Sequence, residues 1–227
     1  MHNGQRVRLG SYYGWGCIPL FWKTRGVHEP QEERSFAAVL PLMPPGATMV
    51  ELGSYWAFYS MWFAQKVPGA HNFLVEPDPR CLRLGQANFA LNGLSGHFTR
   101  AFVGRRSSNI IETPTISVDA LCAEHDLERI HLLHADIQGY EFEMLEGAVN
   151  TLAADRVDYL FLSTHSDSLH VTCRDFLSTR SRLKVFVNVP PSASYSVDGI
   201  LVAARDGLPI PAIDIALRPQ HPSASMA

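Results

Sequence analysis

Residues 49 to 92 constrain the fold of this chain more than any other stretch. An apolar run ends in Glu51-Leu52-Gly53-Ser54, and a second, Asn72-Phe73-Leu74-Val75, ends in Glu76-Pro77-Asp78. The two acidic ends are 25 positions apart (Glu51 to Glu76), room for one crossover helix between two parallel strands. Residues 55–66 supply that helix and are apolar nearly all round, as a helix packed on a sheet must be. In a βαβ unit of this kind, an acidic residue roughly 20 positions beyond the glycine turn accepts hydrogen bonds from a ribose. The expected ligand is therefore one that contains adenosine.

The pattern continues on both sides. Residues 31–42 read as a helix stopped by Pro44-Pro45-Gly46, and residues 48–52 as the first strand. After the strand at 73–75 comes a helix at 80–92, closed by Asn92-Gly93, then a third strand at 97–103. Ser117 or Asp119 caps a helix reaching Glu124. A strand at 130–135 ends at Asp136, and a turn at Gly139 leads into a helix at 141–153. A strand at 157–163, a helix at 169–178 and two closing strands at 184–189 and 199–204 complete the set. Strands alternating with helices at this spacing specify an α/β, Rossmann-like, doubly wound sheet, mostly parallel, with an antiparallel C-terminal strand. The expected organisation is an N-terminal arm or lid (1–29), one domain (30–208) and a loose tail (209–227).

Composition removes several classes of function. A net charge of −3 gives no electrostatic case for nucleic acid or an anionic membrane surface. No apolar run approaches the roughly 20 residues needed to cross a bilayer. Cys17, Cys81, Cys122 and Cys173 form no CxxC, and no signal peptide is evident, so reduced thiols in a cytoplasmic protein are expected. Nothing in the chain specifies an oligomeric state.

Open α/β sheets bind ligands at the carboxyl ends of their strands, where this chain places Glu51, Gly53, Glu76, Asp78, Asp136, Gln138, Gly139 and His165. A dinucleotide site asks for GxGxxG, so that the backbone can approach a pyrophosphate. Here one glycine stands in Glu51-Leu-Gly53-Ser-Tyr-Trp-Ala57, beside an acid that would repel phosphate. A carboxylate at that turn suits a cationic, amine-bearing cofactor, and S-adenosylmethionine carries a sulfonium, an α-amino group and no phosphate. A nicotinamide-dependent oxidoreductase is the disfavoured alternative on a similar fold.

Four segments also carry a family resemblance. Met49-Val-Glu51-Leu-Gly53-Ser-Tyr-Trp-Ala-Phe-Tyr-Ser60 resembles the first motif of class I S-adenosylmethionine-dependent methyltransferases. Val75-Glu-Pro-Asp-Pro79 with Asn88 and Asn92-Gly93, Ile116-Ser-Val-Asp-Ala-Leu121, and Leu133-His-Ala-Asp-Ile-Gln-Gly-Tyr-Glu-Phe-Glu-Met-Leu-Glu-Gly-Ala148 follow in order. Together they resemble the FkbM-type methyltransferases over residues 29–204. The chain has Glu51 where the family has Asp, Ser54-Tyr55 for Ala-Asn, Ala57 for Gly, Gln138 for Glu, and His165 for the acidic end of the next strand. Tyr55, Ala57 and Gln138 are what a non-catalytic S-adenosylmethionine-binding or partner-binding module would show.

The resemblance implies that Glu51 accepts from the cofactor's amino group and that Gly53 passes beneath it. It implies that Ser54 and Tyr55 line the methionine portion, that Glu76, with Pro77 beside it, takes both ribose hydroxyls, and that Asp78, Ala101 and Phe102 flank the adenine. It also implies methyl transfer to a hydroxyl of a small molecule, a sugar or secondary metabolite. Asp136, placed with the cofactor, and His165 bracket the acceptor. His165 is the expected base, since imidazole titrates near working pH; a satisfied core or capping histidine is the alternative. Tyr13, Trp15, Gln138, Tyr140 and His170 are expected around the acceptor, with Glu141 a further lining candidate. His165 and His170 with Asp136 could instead hold a divalent metal, although their spacing is no established ligand motif. His134, in mid-strand, reads as core, and Phe102 as either core or adenine-facing. Tyr12-Tyr13-Gly14-Trp15 reads as a mobile cover or as an arm packed on the sheet edge.

Overall fold

The strand at the centre of the sheet is β1 (Thr48–Leu52), whose Met49, Val50 and Leu52 are buried on alternating faces. A strand apolar on both faces is stable only with neighbours on each edge and helices above and below. The computed structural model describes residues 1–108 and 113–218 and provides both. β1 pairs in parallel with β2 (His71–Val75) on one edge and with β6 (Ile130–Ala135) on the other. β3 (His97–Thr99) extends the sheet beyond β2, and β7 (Val157–Thr164) extends it beyond β6. Beyond β7, the strand β9 (Gly199–Arg205) runs antiparallel to both β7 and the edge strand β8 (Leu183–Val189). The order is β3-β2-β1-β6-β7-β9-β8, a single α/β sheet whose order reverses between β1 and β6. Ligands of such sheets sit outside the carboxyl ends of the strands at that reversal.

Helices cover both faces. One face carries α2 (Pro30–Val39) and α3 (Phe58–Lys66), with Phe36, Trp62 and Phe63 packed on Met49, Leu132 and Phe161. The opposite face carries α5 (Val118–Glu124), α6 (Glu141–Glu146), α7 (Val149–Ala153) and α8 (Asp167–Arg180). Leu121, Met144, Leu145, Leu152 and Cys173 pack there on Val50, Leu133 and Leu160. Between β2 and β3 lies α4 (Pro79–Leu91), capped by Asp78. A short helix, α1 (Ile18–Thr24), belongs to the N-terminal arm. Among the described residues no helix is long and apolar enough to cross a membrane.

Three expectations are corrected. The strand expected over 97–103 divides, because β4 (Phe102–Val103) leaves the main sheet to pair with β5 (Thr115–Ile116). The helix expected over 141–153 breaks at Gly147, where a Cβ would overlap the carbonyl oxygen of Gly104 and bring the loop after β4 into conflict with α6. The helix expected from Tyr55 begins at Phe58, since Tyr55 and Ala57 are left-handed with φ of 44° and 67°. The described part of the tail, 209–218, makes hydrogen bonds to the domain. Arg218 N donates to Ala193 O, Gln31 Nε2 donates to Ala216 O, and Tyr159 Oη donates to Pro209 O. Residues 219–227 and 109–112 lie outside the described residues.

The first residues of the arm are fastened along α3 and α4. Gln5 Nε2 donates to Phe58 O, Arg6 N to Asn92 Oδ1, and Arg8 N to Asn88 Oδ1.

Candidate functional site

The carboxyl ends of β1, β2 and β6 open into a cavity of about 1100 Å³, a volume that admits a nucleoside cofactor together with an acceptor. Its position follows from Gly53. At φ 75° the chain turns left-handed and crosses the backbone of Asp136 so closely that a Cβ there would overlap the Asp136 carbonyl oxygen. The family resemblance assigned Gly53 to close approach of the cofactor; the atom it approaches in the structure is the carbonyl of β6's last turn. Tyr55 lines the cavity without filling it, and Ala57 is buried in the core behind it.

Glu76 stands at the end of β2, and burial raises its carboxyl above the ordinary range. Oε2 accepts from Tyr55 N at 2.9 Å and Oε1 from Asp78 N at 2.9 Å, which fixes the carboxylate facing the cavity. Each oxygen keeps a lone pair, so two ribose hydroxyls can still be received. Ser54 Oγ is buried against the cavity with no hydrogen-bond partner, an unmet polar atom where a polar ligand atom fits. Phe102 is 45% exposed and lines the cavity beside Pro77. Ala101 is buried in the core and does not line it. Asp78 lines the cavity but spends Oδ1 on Arg80 N as the cap of α4.

The floor is a buried polar cluster. Alternation puts Glu51, His134 and Ser163 on the same face of the sheet, and the register pairs Glu51 with His134. Helix α2 brings Glu32 onto them: Oε1 meets His134 Nε2 at 2.6 Å, and Oε2 accepts from Ser163 Oγ at 2.6 Å. Burial works against the His134 imidazolium, yet Glu32 and Glu51 outweigh it and raise its pKa to about 9. Burial pushes Glu51 up to about 7, with Oε2 held by Ser60 N. His134 therefore does more than pack. Glu29, just before α2, lines the same cavity and accepts from Tyr59 Oη at 2.6 Å.

His165, the expected base, sits among three carboxylates. Its ring lies between Asp136 Oδ1 (3.2 Å), Glu141 Oε1 (3.0 Å) and Asp198 Oδ1 (3.5 Å). Burial opposes the charge, but Asp136 and Glu141 overcome it and lift the pKa to about 10. The imidazole is thus protonated at neutral pH and acts as a cationic clamp between the β6 turn, α6 and the segment before β9. His170 is far from this role: its Nδ1 is 2.8 Å from Thr164 Oγ1 and its Nε2 2.7 Å from Asn188 Oδ1, behind β7 and away from the cavity lining. The metal arrangement of His165, His170 and Asp136 is not formed. Among the described residues no group of three or more His, Cys, Asp or Glu side chains is set to hold a metal.

Tyr13, Gln138 and Tyr140 line the cavity, whereas Trp15 is 73% exposed and stands outside it. Gln138, left-handed at φ 55°, donates Nε2 to Asp136 Oδ1 at 2.9 Å. Tyr12 and Tyr13 roof the opening, with Tyr13 N donating to Tyr55 Oη at 2.8 Å. Glu29, Glu32 and Asp198 escaped the sequence reading. One signal did exist: Glu32, Ser35, Phe36 and Val39 share a face of α2 by their i, i+3, i+4, i+7 spacing, which places an acid in an apolar stripe.

Residues 92–185 match the methyltransferase FkbM domain. Over those residues the chain is similar to the FkbM methyltransferases. No curated protein matches it. Solved structures with a similar fold include an O-methyltransferase from Bacillus cereus in complex with S-adenosylhomocysteine, at 10% identity and TM-score 0.55, covering 84% of this chain and 89% of that one. An rRNA methylase from Streptococcus thermophilus matches at 9% identity and TM-score 0.56, covering 79% and 97%. A precorrin-6y C5,15-methyltransferase from Geobacter metallireducens matches at 14% identity and TM-score 0.51, covering 77% and 87%. The partial match and these structures show that the chain has the fold of methyltransferases.

Proposed function

We propose that this protein transfers a methyl group from S-adenosylmethionine to a hydroxyl oxygen of a small molecule, a sugar or secondary metabolite. Residues 30–208 supply the catalytic unit, and the arm over residues 1–29 supplies its roof. The observation that carries the reading is the pairing, within one cavity, of the fixed Glu76 carboxylate and unpartnered Ser54 hydroxyl with a second, strongly acidic end at Glu29 and Asp136. Glu76 would hold the ribose and Ser54 the methionine portion, with Phe102 and Pro77 against the adenine. The cofactor, when bound, presents an electrophilic methyl carbon and departs as a neutral thioether that keeps the electron pair of the broken S–C bond.

The chain's own residues prepare the acceptor side. Tyr12 and Tyr13 cover the opening and exclude water. The clamp at His165 holds Asp136 in place. The cavity is poorly suited to a polyanion such as RNA: its lining cations Arg80 and Arg105 are paired, with Asp78 and Glu146.

Calorimetric titration with S-adenosylhomocysteine, beside NAD, tests the reading. Micromolar affinity, about −8 kcal/mol, is expected for the former and no binding for NAD. Glu76→Ala should weaken binding by about 100-fold or more, since it removes two charge-assisted hydrogen bonds. Binding of NAD in preference, or affinity unchanged in Glu76→Ala, would sink the assignment.

A further inference from the structure

We infer that Glu29 is the catalytic residue that receives the acceptor's hydroxyl proton, an inference that rests on the O-methyltransferase reading above. Glu29 belongs to the segment that leads into α2, outside the 92–185 match. It lines the cavity, and Tyr59 Oη fixes Oε2 at 2.6 Å, while Oε1 has no hydrogen-bond partner among the described residues. Four of the other five cavity carboxylates are committed, and the fifth, Glu143, stands in the first turn of α6. Glu76 has both oxygens on backbone N–H groups, Glu51 is sealed against Ser60 N, and Asp78 caps α4. Asp136 lies against the His165 cation and the Gln138 amide.

The groups that face Glu29 are Tyr59 from α3, Glu32 from α2, Asp136 from the end of β6, and His28, Tyr12 and Tyr13 from the arm. Burial, and then the charge of Glu32, raise its carboxyl to about 7, so near neutrality it is part ionised and ready to be protonated. In the step, the acceptor's O–H bond breaks and its proton passes to Glu29 Oε1. The electron pair left on oxygen forms the new bond to the methyl carbon, while the pair of the breaking S–C bond stays on sulfur. Tyr59 holds the other carboxylate oxygen throughout, which keeps Oε1 aimed at the acceptor.

A carbon-13 NMR titration of the Glu29 carboxyl in the S-adenosylhomocysteine complex, assigned by its loss in Glu29→Gln, should give a midpoint near pH 7. A midpoint in the ordinary range near 4.3 overturns the inference. Transfer from S-adenosylmethionine to a panel of hexoses and phenols supplies the second reading. Glu29→Gln should lower kcat by about 100-fold or more while S-adenosylhomocysteine affinity stays within about two-fold, and it should erase the acid limb of the rate profile near pH 7. Glu29→Asp should keep that limb. A Glu29→Gln enzyme that turns over within about three-fold of the parent overturns the inference and leaves the O-methyltransferase reading standing. Failure of the parent protein to bind S-adenosylhomocysteine overturns both.

Discussion

Gly53→Ala is expected to lower stability by about 4 kcal/mol or more. Two costs combine. A left-handed φ costs an L side chain about 1 kcal/mol, and the added methyl overlaps the backbone of Asp136, which cannot rotate away as a side chain would. Relief requires β1 and β6 to part at the point where the cavity forms. Gly46→Ala is the internal control, having φ 76° but open space where the methyl would go, and it should lose only about 1 kcal/mol. Thermal unfolding should place the midpoints of the two variants about 5–10 °C apart. Equal losses would show that conformational strain, not the crossing, is what Gly53 relieves.

Stability should also fall as pH rises from 6.5 toward 10, by roughly 3 kcal/mol, and His165 is the main cause. Its folded pKa, about 10, lies above the unfolded value of 6.5. A raised pKa means that the folded state binds the proton more tightly, so the stabilisation is complete below pH 6.5 and is lost as pH passes through the folded value. His134, at about 9, adds a term of the same sign from the other side of the sheet. His165→Ala should remove the larger part of this slope. It should also cost about 3–5 kcal/mol at pH 6.5, because Glu141, fully buried, is left without its cation. Urea titrations at pH 6.5, 8 and 9.5 give the comparison; parallel slopes for the two proteins would refute the assignment to His165.

The parts legible in the sequence were those fixed by local chemistry. The apolar run at 48–52 and the Ser117 cap each determine their element within a few residues, and the structure agrees. The split of the third strand was not legible, because it depends on Thr115-Ile116 arriving alongside Phe102-Val103. The break at Gly147 likewise depends on the loop at Gly104 lying against it. At the site, Glu76 was suggested by the βαβ spacing and Phe102 only by the family resemblance, whereas the state of His165 was suggested by neither. Its proton is decided by Asp136 and Glu141, which are 29 and 24 residues before it in the chain. His134 is buried as its place in mid-strand indicates, but alternation says which face a side chain occupies and nothing about which helix will cover it.

The contacts of α2 bear on when the molecule becomes whole during synthesis. Glu32 must wait 131 residues for Ser163, and Gln31 waits 163 residues for Ser194 and 185 for Ala216. Central strands β1 and β2 can pair early, but β9 must slot between β7 and β8 after both exist. Contacts so distant along the chain form slowly. Until then a charged helix near the start of the chain has no burial site. The acidic floor of the cavity is accordingly the last part to close, and a nascent chain displays its nucleoside-binding turn well before it owns a place for the acceptor.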